Sequence, residues 1–224
     1  MEIIILAGGY GTRLRSVSND LPKCMVPVNG EPFLAGLIKK IVPKGTKIIL
    51  AVSYKRYSIV NYFGNEFHDC KICYSIEEKP LGTGGAIKQA LLQCNNDNII
   101  VLNGDTYLDI NLRTFLEEHN QTNSDISLAL KELKKPFRYG TVTLNESKIV
   151  SFNEKQKIPK GLINCGVYSL KREVLVDALT EFSLEKYLEQ NMDLCVSGFV
   201  YNGYFIDIGI PVDYKKAIKD SIFS

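Results

Sequence analysis

Residues 3–14 read Ile-Ile-Ile-Leu-Ala-Gly-Gly-Tyr-Gly-Thr-Arg-Leu, a short apolar run that ends in a glycine-rich segment. A continuous apolar run of this length, bounded by turn residues, is typical of a strand that is buried on both faces of a parallel sheet. The glycines that follow predict a loop at the end of this strand. The segment therefore predicts an α/β protein whose first strand, Ile3–Leu6, leads directly into a loop.

The chain that follows alternates apolar strands with amphipathic helices. We predict these elements, in chain order, as helix Phe33–Val42, strand Lys47–Val52, helix Tyr57–Phe63, strand Lys71–Ile76, helix Gly84–Gln93, strand Asn98–Leu102 and helix Leu112–His119. The alternation is typical of βαβ units. It predicts a Rossmann-like mixed, mainly parallel sheet that is flanked by helices.

The second half of the chain is richer in strands, which predicts a small lobe containing antiparallel strands. Its predicted elements are strands Ile126–Leu130, Gly140–Leu144, Lys148–Phe152 and Leu162–Leu170, then helices Val174–Leu179, Leu184–Gln190 and Val212–Ile222. The densest basic run, Lys131–Lys135, is interpreted as a solvated connector. No repeat or linker separates the halves, so we predict a single domain over residues 1–224, with parts at roughly 1–110 and 111–224.

Composition excludes several classes of function. The 224 residues carry 27 Lys+Arg against 25 Asp+Glu, and a net charge of +2 gives no electrostatic footprint for nucleic acid or an anionic membrane. No apolar run approaches the roughly 18 residues that a membrane span needs, and the N-terminus lacks the features of a signal peptide. We therefore expect a cytoplasmic protein with no nucleic-acid or membrane partner, whose six cysteines are thiols.

The glycine-rich segment has the composition of a phosphate-binding loop. Gly8, Gly9 and Gly11 let backbone N–H groups turn toward an oxyanion, and Arg13 and Lys23 add positive charge. A plain glycine-rich turn is the alternative.

Two familiar nucleotide-binding loops do not match this segment. A P-loop requires Lys followed by Ser or Thr after its second glycine, whereas Gly11 is followed by Thr12 and Arg13. A dinucleotide-binding loop starting at Gly9 requires glycine or alanine where Leu14 stands, which disfavours an NAD-dependent oxidoreductase.

Two aspartates are candidates for metal binding. Asp105 follows the predicted strand Asn98–Leu102, at the edge of an α/β sheet where ligand sites usually lie. Its alternative interpretation is a turn residue in Asn-Gly-Asp. Asp207 lies between two isoleucines, and a carboxylate buried there needs a partner, either a metal or a backbone cap.

Taken together, these segments resemble the sugar nucleotidyltransferases, which join a nucleoside triphosphate to a sugar 1-phosphate. Beyond the first loop, the resemblance rests on Pro80–Ala86, Asn103–Asp105, Arg138–Val142, Asn153–Lys155, Asn164–Tyr168 and Tyr204–Gly209. It spans essentially the whole chain. One departure is Cys24, where the family usually has a second proline.

The resemblance implies Mg²⁺ as the cofactor, with Asp105 and Asp207 as its ligands, and Arg13 and Lys23 as further catalytic residues. It implies a nucleotide site formed by Leu6, Ala7, Gly8, Gly9, Gly11, Thr12, Arg13, Glu77, Pro80, Gly82 and Thr83. It implies a sugar-phosphate site formed by Tyr139, Gly140, Glu154, Lys155 and Asn164.

The expected substrates are GTP and a sugar 1-phosphate. Segments Tyr74–Lys88, Gly161–Tyr168 and Tyr204–Tyr214 are most similar to family members that act on D-glycero-D-manno-heptose 1-phosphate, which implies a GDP-sugar for bacterial surface polysaccharide. The Glu77 carboxylate is an acceptor only, and guanine offers two adjacent donors, so this residue favours GTP.

Several alternatives remain open at this point. Another base, or another sugar such as mannose or glucose 1-phosphate, would keep the same chemistry. A non-catalytic nucleotide-sensing subunit would be expected to lack Lys23 or the two aspartates, which are all present. The sequence leaves a homo-oligomer open, because its helix faces do not separate an interface from the core.

Overall fold

The computed structural model describes residues 1–9, 21–53, 55–191 and 193–223. The strands in these ranges are β1 Glu2–Leu6, β2 Pro27–Val28, β3 Glu31–Pro32, β4 Lys47–Val52, β5 Glu66–Phe67, β6 Cys70–Ile76, β7 Asn98–Asn103, β8 Thr106–Leu108, β9 Ile126–Lys134, β10 Thr141–Asn145, β11 Lys148–Asn153, β12 Lys160–Lys171, β13 Val196–Val200 and β14 Phe205–Asp207. The helices are α1 Phe33–Ile41, α2 Arg56–Phe63, α3 Gly82–Leu91, α4 Leu112–Thr122, α5 Leu184–Gln190 and α6 Pro211–Lys219.

Ten of these strands form one mixed sheet in the order β10-β11-β13-β9-β12-β7-β1-β4-β6-β5. Strands β7, β1, β4 and β6 run parallel to one another. The long strand β12 pairs antiparallel with both β7 and β9 and so joins the two parts of the sheet. Strands β8 and β14 form a separate antiparallel pair. The predicted fold class is confirmed.

Strand β1 shows why the sheet is covered on both faces. Ile3 and Ile5 point into one apolar cluster and Ile4 points into another, and all three are fully buried. Successive side chains of a strand face opposite sides, so an unbroken apolar run requires helices on both faces. Helices α1, α2, α4 and α6 cover the first face, whereas α3 and α5 cover the second.

Two predictions for the second half were wrong. Residues Val174–Leu179 form successive turns instead of a helix, because their backbone N–H groups bond three residues back, as from Val174 to Lys171, without a regular i to i−4 ladder. The basic run beginning at Lys131 is not a connector, since β9 extends through Lys134 and pairs with β12. Within the described ranges, no helix is long and apolar enough to cross a membrane.

Candidate active site

A lysine lies between two carboxylates at the end of the parallel strands. The Nζ atom of Lys23 is 2.5 Å from Oδ2 of Asp105 and 3.2 Å from Oδ1 of Asp207. The Lys23 side chain is only 12% exposed, whereas Asp105 and Asp207 are 34% and 28% exposed, so the lysine is buried beneath two partly accessible carboxylates. Three charged groups separated by long stretches of sequence therefore meet at one point.

Short strands and tight turns position the two aspartates. Asp105 lies between β7 and β8, and the N–H of Gly104 donates to the carbonyl of Leu6 at 2.9 Å, which ties this turn to the end of β1. Strand β14 pairs with β8 so that Asp207 lies opposite Thr106. This pairing brings Asp207 next to Asp105.

Glycine at position 209 makes room for the cluster. Its N–H donates to Oδ1 of Asp207 at 2.7 Å. A Cβ built at Gly209 would lie 2.9 Å from Oδ1 of Asp207 and 3.0 Å from Nζ of Lys23, which is closer than side chains normally approach. The absence of a side chain at this position therefore allows the lysine and the aspartate to meet.

Opposing effects act on the charge of Lys23. Burial lowers the pKa of its ammonium group, but the negative charges of Asp105 and Asp207 outweigh burial, and the pKa is raised. The lysine is therefore a cation at neutral pH, held next to acceptor groups that fix its position.

The two aspartates also fit a magnesium ion. Lys23 faces Oδ2 of Asp105 and Oδ1 of Asp207, while Oδ1 of Asp105 accepts a hydrogen bond from the Thr106 hydroxyl at 3.1 Å. Mg²⁺ prefers hard oxygen ligands and is commonly held by one or two carboxylates together with substrate phosphates. Among the described residues, no group of three or more His, Cys, Asp or Glu side chains converges. A metal held here would therefore take its remaining ligands from substrate and water.

Two adjoining cavities lie beside this cluster at the end of β1. The cavity nearer the cluster is lined by Leu6, Ala7, Gly8, Gly9, Lys23, Cys24, Thr83, Asn103 and Asp105. The other is lined by Leu6, Gly8, Gly9, Ser53, Glu77, Pro80, Gly82, Thr83 and Ala86. Every described residue that was predicted for the nucleotide site lines one or both cavities. Gly11, Thr12 and Arg13 lie outside the described residues.

Glu77 is the charged residue in the second of these cavities, the one that Pro80 and Gly82 also line. It is 8% exposed, and its Oε2 accepts the N–H of Leu81 at 3.2 Å. Burial raises the pKa of the Glu77 carboxyl, and the Leu81 hydrogen bond opposes this change only in part. A Cβ at Gly8 would lie 2.9 Å from Oε1 of Glu77, so the glycine permits the carboxylate to lie against the loop.

A third cavity, of about 270 Å³, lies on the other side of the aspartates. Tyr139, Gly140, Lys155 and Asn164, four of the residues predicted for a sugar-phosphate site, line it together with Asp207. Burial raises the pKa of Tyr139 to about 12, so its hydroxyl stays protonated at neutral pH. Glu154 differs from the other predicted residues, because it is exposed and is not among the residues that line this cavity.

Three charged residues of the third cavity were not predicted from the sequence. Arg138 lines it and pairs with Asp213, and its guanidinium lies 5.3 Å from the centre of the Tyr139 ring. Glu185 and Glu189 line it from one face of α5. Arg138 could have been found, because it lies in the motif that supplied Tyr139. The two glutamates follow no pattern that distinguishes them from solvated helix residues.

The chain belongs to the nucleotidyl transferase family. The family model matches residues 2–219, which is nearly the whole chain and includes all the described residues of the three cavities. The fold is thus that of an enzyme of this class.

Within this family, the chain is similar over nearly its whole length to two curated guanylyltransferases and to one solved structure with a bound nucleotide analogue. The chain is 44% identical over 225 residues to D-glycero-alpha-D-manno-heptose 1-phosphate guanylyltransferase of Aneurinibacillus thermoaerophilus, with 98% of each chain covered. It is 47% identical over 219 residues to the Campylobacter jejuni protein of the same name, with 96% of this chain and 97% of the relative covered. A crystal structure of HddC from Yersinia pseudotuberculosis complexed with GMP-PN is 38% identical with a TM-score of 0.88, and it covers 98% of this chain and 99% of its own.

Proposed function

We propose that this enzyme transfers GMP from GTP to D-glycero-D-manno-heptose 1-phosphate, giving a GDP-heptose and pyrophosphate. The observation that carries the proposal is that Lys23, Asp105 and Asp207 lie between the two nucleotide cavities and the third cavity. Lys23 and Asp105 line the cavity that continues to Glu77, whereas Asp207 lines the cavity that contains Tyr139. The charged cluster thus lies where two substrates would meet.

The chemistry requires a cation at this meeting point. An oxygen of the sugar phosphate attacks the α-phosphorus of GTP, a new P–O bond forms, and the bond to the departing pyrophosphate breaks. Two anionic phosphates must approach each other, so catalysis consists mainly of positioning and neutralisation of charge. We assign this role to the Lys23 ammonium, which would contact the α-phosphate and the attacking phosphate together.

We assign Asp105 and Asp207 as the carboxylates that would hold Mg²⁺. The ion would neutralise phosphate charge when bound. The aspartates then have two tasks, since they also hold Lys23 at the site. Arg13, outside the described residues, is proposed to bind the β- and γ-phosphates.

Glu77 supports the choice of GTP. An ionised carboxylate only accepts hydrogen bonds, and the Watson–Crick edge of guanine offers two adjacent donors. The position of Glu77 in a cavity with Gly8, Pro80 and Gly82 suits a base that enters edge-on. The HddC complex with GMP-PN and the names of the two guanylyltransferases support the same base.

The polar lining of the third cavity supports a sugar 1-phosphate as the acceptor. Lys155 and Arg138 bring positive charge for the phosphate, while Asn164 and Tyr139 offer groups for hydroxyls. The heptose itself is proposed from the names of the two curated relatives. In this proposal residues 1–110 mainly bind the nucleotide, and residues 111–224 mainly bind the sugar phosphate.

The proposal is tested by measuring pyrophosphate release with purified enzyme. GTP, UTP, CTP, ATP and dTTP are each combined with heptose, mannose, glucose and N-acetylglucosamine 1-phosphates, with Mg²⁺ and with excess EDTA. We expect turnover with GTP and the heptose, and its loss in EDTA. Turnover with another pair would overturn the proposed substrates and keep the reaction, whereas nucleotide binding without turnover in any combination would indicate a non-catalytic subunit.

A further inference from the structure

The segment that precedes α5 is hydrogen-bonded to the loop that precedes α3. The N–H of Phe182 donates to the carbonyl of Leu81 at 2.9 Å, and the carbonyl of Phe182 accepts the N–H of Gly84 at 3.0 Å. At Gly82, where φ is +73°, a Cβ would lie 2.4 Å from the Phe182 carbonyl oxygen. The start of α5 is therefore held against the loop of the nucleotide cavity.

A side-chain hydrogen bond extends this connection. The Thr83 hydroxyl accepts the N–H of Leu184 at 2.9 Å and donates to Oε2 of Glu185 at 3.1 Å. The Ser183 hydroxyl donates to the same carboxylate oxygen at 2.7 Å. One oxygen of Glu185 is thus directed toward Thr83, which lines both nucleotide cavities.

The second oxygen of Glu185 points to the other substrate site. Oε1 accepts a long hydrogen bond of 3.4 Å from the hydroxyl of Tyr168, which in turn accepts from Nδ2 of Asn164 at 2.7 Å. Oδ1 of Asn164 accepts the N–H of Gly166 at 2.9 Å, which fixes the amide in an irregular stretch of β12. Glu185, Tyr168 and Asn164 all line the third cavity.

We propose that Glu185 is a positioning residue that couples the two substrate sites, so that the sugar phosphate tightens binding of the nucleotide and the nucleotide tightens binding of the sugar phosphate. The hydrogen bonds run from Thr83 through the Glu185 carboxylate to Tyr168 and Asn164. The inference rests on the proposed function, because it concerns the same two substrates.

The hydrogen bonds from Thr83 and Tyr168 to Glu185 explain why each substrate should tighten binding of the other. A carboxylate accepts hydrogen bonds on both oxygens, so an orientation that satisfies Thr83 also fixes where Tyr168 can donate. A nucleotide that orders Thr83 would therefore order Glu185 and the sugar-side groups before the second substrate arrives. Linkage requires the reverse effect to be equal in magnitude.

Glutamine at position 185 is the sharpest variant. An amide has a single acceptor oxygen, so Glu185→Gln can accept a hydrogen bond from Thr83 or from Tyr168, but not from both as the carboxylate does. The variant retains side-chain size, and the backbone hydrogen bonds that Phe182 donates to Leu81 and accepts from Gly84 still hold the start of α5. Glu185→Ala removes both links and serves as a second variant.

Glu117→Gln is the matched control. Glu117 is exposed on α4 and lines neither the two nucleotide cavities nor the third cavity. It carries the same charge change as Glu185→Gln without touching the connection. Thermal unfolding of all variants checks that they are folded.

The experiment measures the Kd of α,β-methylene GTP, which cannot release pyrophosphate, by calorimetry with and without saturating D-glycero-D-manno-heptose 1-phosphate. In the wild type and in Glu117→Gln, we expect the sugar phosphate to tighten binding at least ~5-fold, the lower end of typical coupling between sites. In Glu185→Gln and Glu185→Ala, we expect a ratio close to one. Initial rates with GTP should show a raised KM for each substrate in the Glu185 variants, with a smaller change in kcat.

Each other outcome has a definite meaning. A ratio of one in the wild type, with both ligands bound, would overturn the coupling and leave the proposed function in place. An unchanged ratio in folded Glu185→Gln and Glu185→Ala would assign the coupling to other residues. A wild type that binds neither ligand would overturn the proposed function and this inference with it.

Discussion

The ammonium nitrogen of Lys23 lies 3.0 Å from the point where a Cβ would stand at Gly209. The φ angle of Gly209 is not in the left-handed region, so alanine is compatible with the backbone and any effect of Gly209→Ala arises from contact with the cluster. We expect a folded variant whose turnover falls by about 10- to 100-fold, the scale of a small displacement in an active site. Steady-state rates and thermal unfolding check this, and wild-type turnover would contradict it.

Removal of the Lys23 charge is expected to abolish most of the activity without unfolding the protein. Lys23→Ala should lower kcat on the order of 100-fold or more, the cost of losing one preorganised charge donor. Lys160→Ala is the control, because Lys160 is an exposed lysine that pairs with Glu132 at 3.0 Å. Equal turnover of the two variants would exclude Lys23 from the reaction.

Neutralisation of Asp105 is expected to weaken the response to Mg²⁺. Asp105→Asn should raise the Mg²⁺ concentration for half-maximal rate by about 10-fold or more, the scale on which metal sites respond to loss of supporting groups. Asp69→Asn is the control, since Asp69 is exposed and pairs with Lys44 on the surface. A Mg²⁺ titration that is identical in both variants would contradict Asp105 as a ligand.

Glu77→Gln is expected to weaken the preference for GTP. The amide keeps the shape of the side chain but replaces one acceptor by a donor, which opposes the two donors of guanine. We expect the ratio of kcat/KM for GTP over ATP to fall by about 10-fold or more, as for loss of a hydrogen bond to a charged group. Competition between the two nucleotides measures this ratio, and an unchanged preference would exclude Glu77 from base selection.

Burial of His119 is expected to make the free energy of unfolding depend on pH. His119 is 1% exposed, and burial, reinforced by the charge of Lys171 and opposed by that of Asp125, lowers its pKa from 6.5 to about 4. The unfolded chain therefore binds the proton more tightly, and the free energy of unfolding should fall as pH decreases from 6.5 to 4, by about 3 kcal/mol. Denaturant unfolding of wild type and His119→Gln tests this, since the variant should lose that part of the pH dependence.

Periodic segments were predictable from the sequence, and contacts between distant short segments were not. Strand β4 was predicted with the bounds that the structure has, because its apolar run is unbroken and flanked by polar residues. Strands β8 and β14 have three residues each, too few for any period, and their pairing was not predicted although it places Asp207 beside Asp105.

For the site as well, positions that follow from regular strands could be predicted, and positions that depend on contacts between distant segments could not. Residues in the loops after β1 and β7 could be placed at the site, because the ends of parallel strands meet at one edge of a sheet. Acidic residues could not be placed in this way, since Glu154 is exposed at the end of β11 while Glu185 lines the third cavity. The role of Glu185 depends on how Phe182 contacts the α3 loop, a tertiary contact without a local sequence signal.

The contact between Lys23 and the aspartate pair has a consequence for the enzyme before substrates arrive. The two carboxylates share a counterion that is covalently attached to the chain and cannot diffuse away. Mobile ions in physiological salt screen charges over about 8–10 Å, whereas the ammonium of Lys23 lies within 3.2 Å of both carboxylates. The repulsion between Asp105 and Asp207 is thus reduced by the chain itself, before any ion from solution binds.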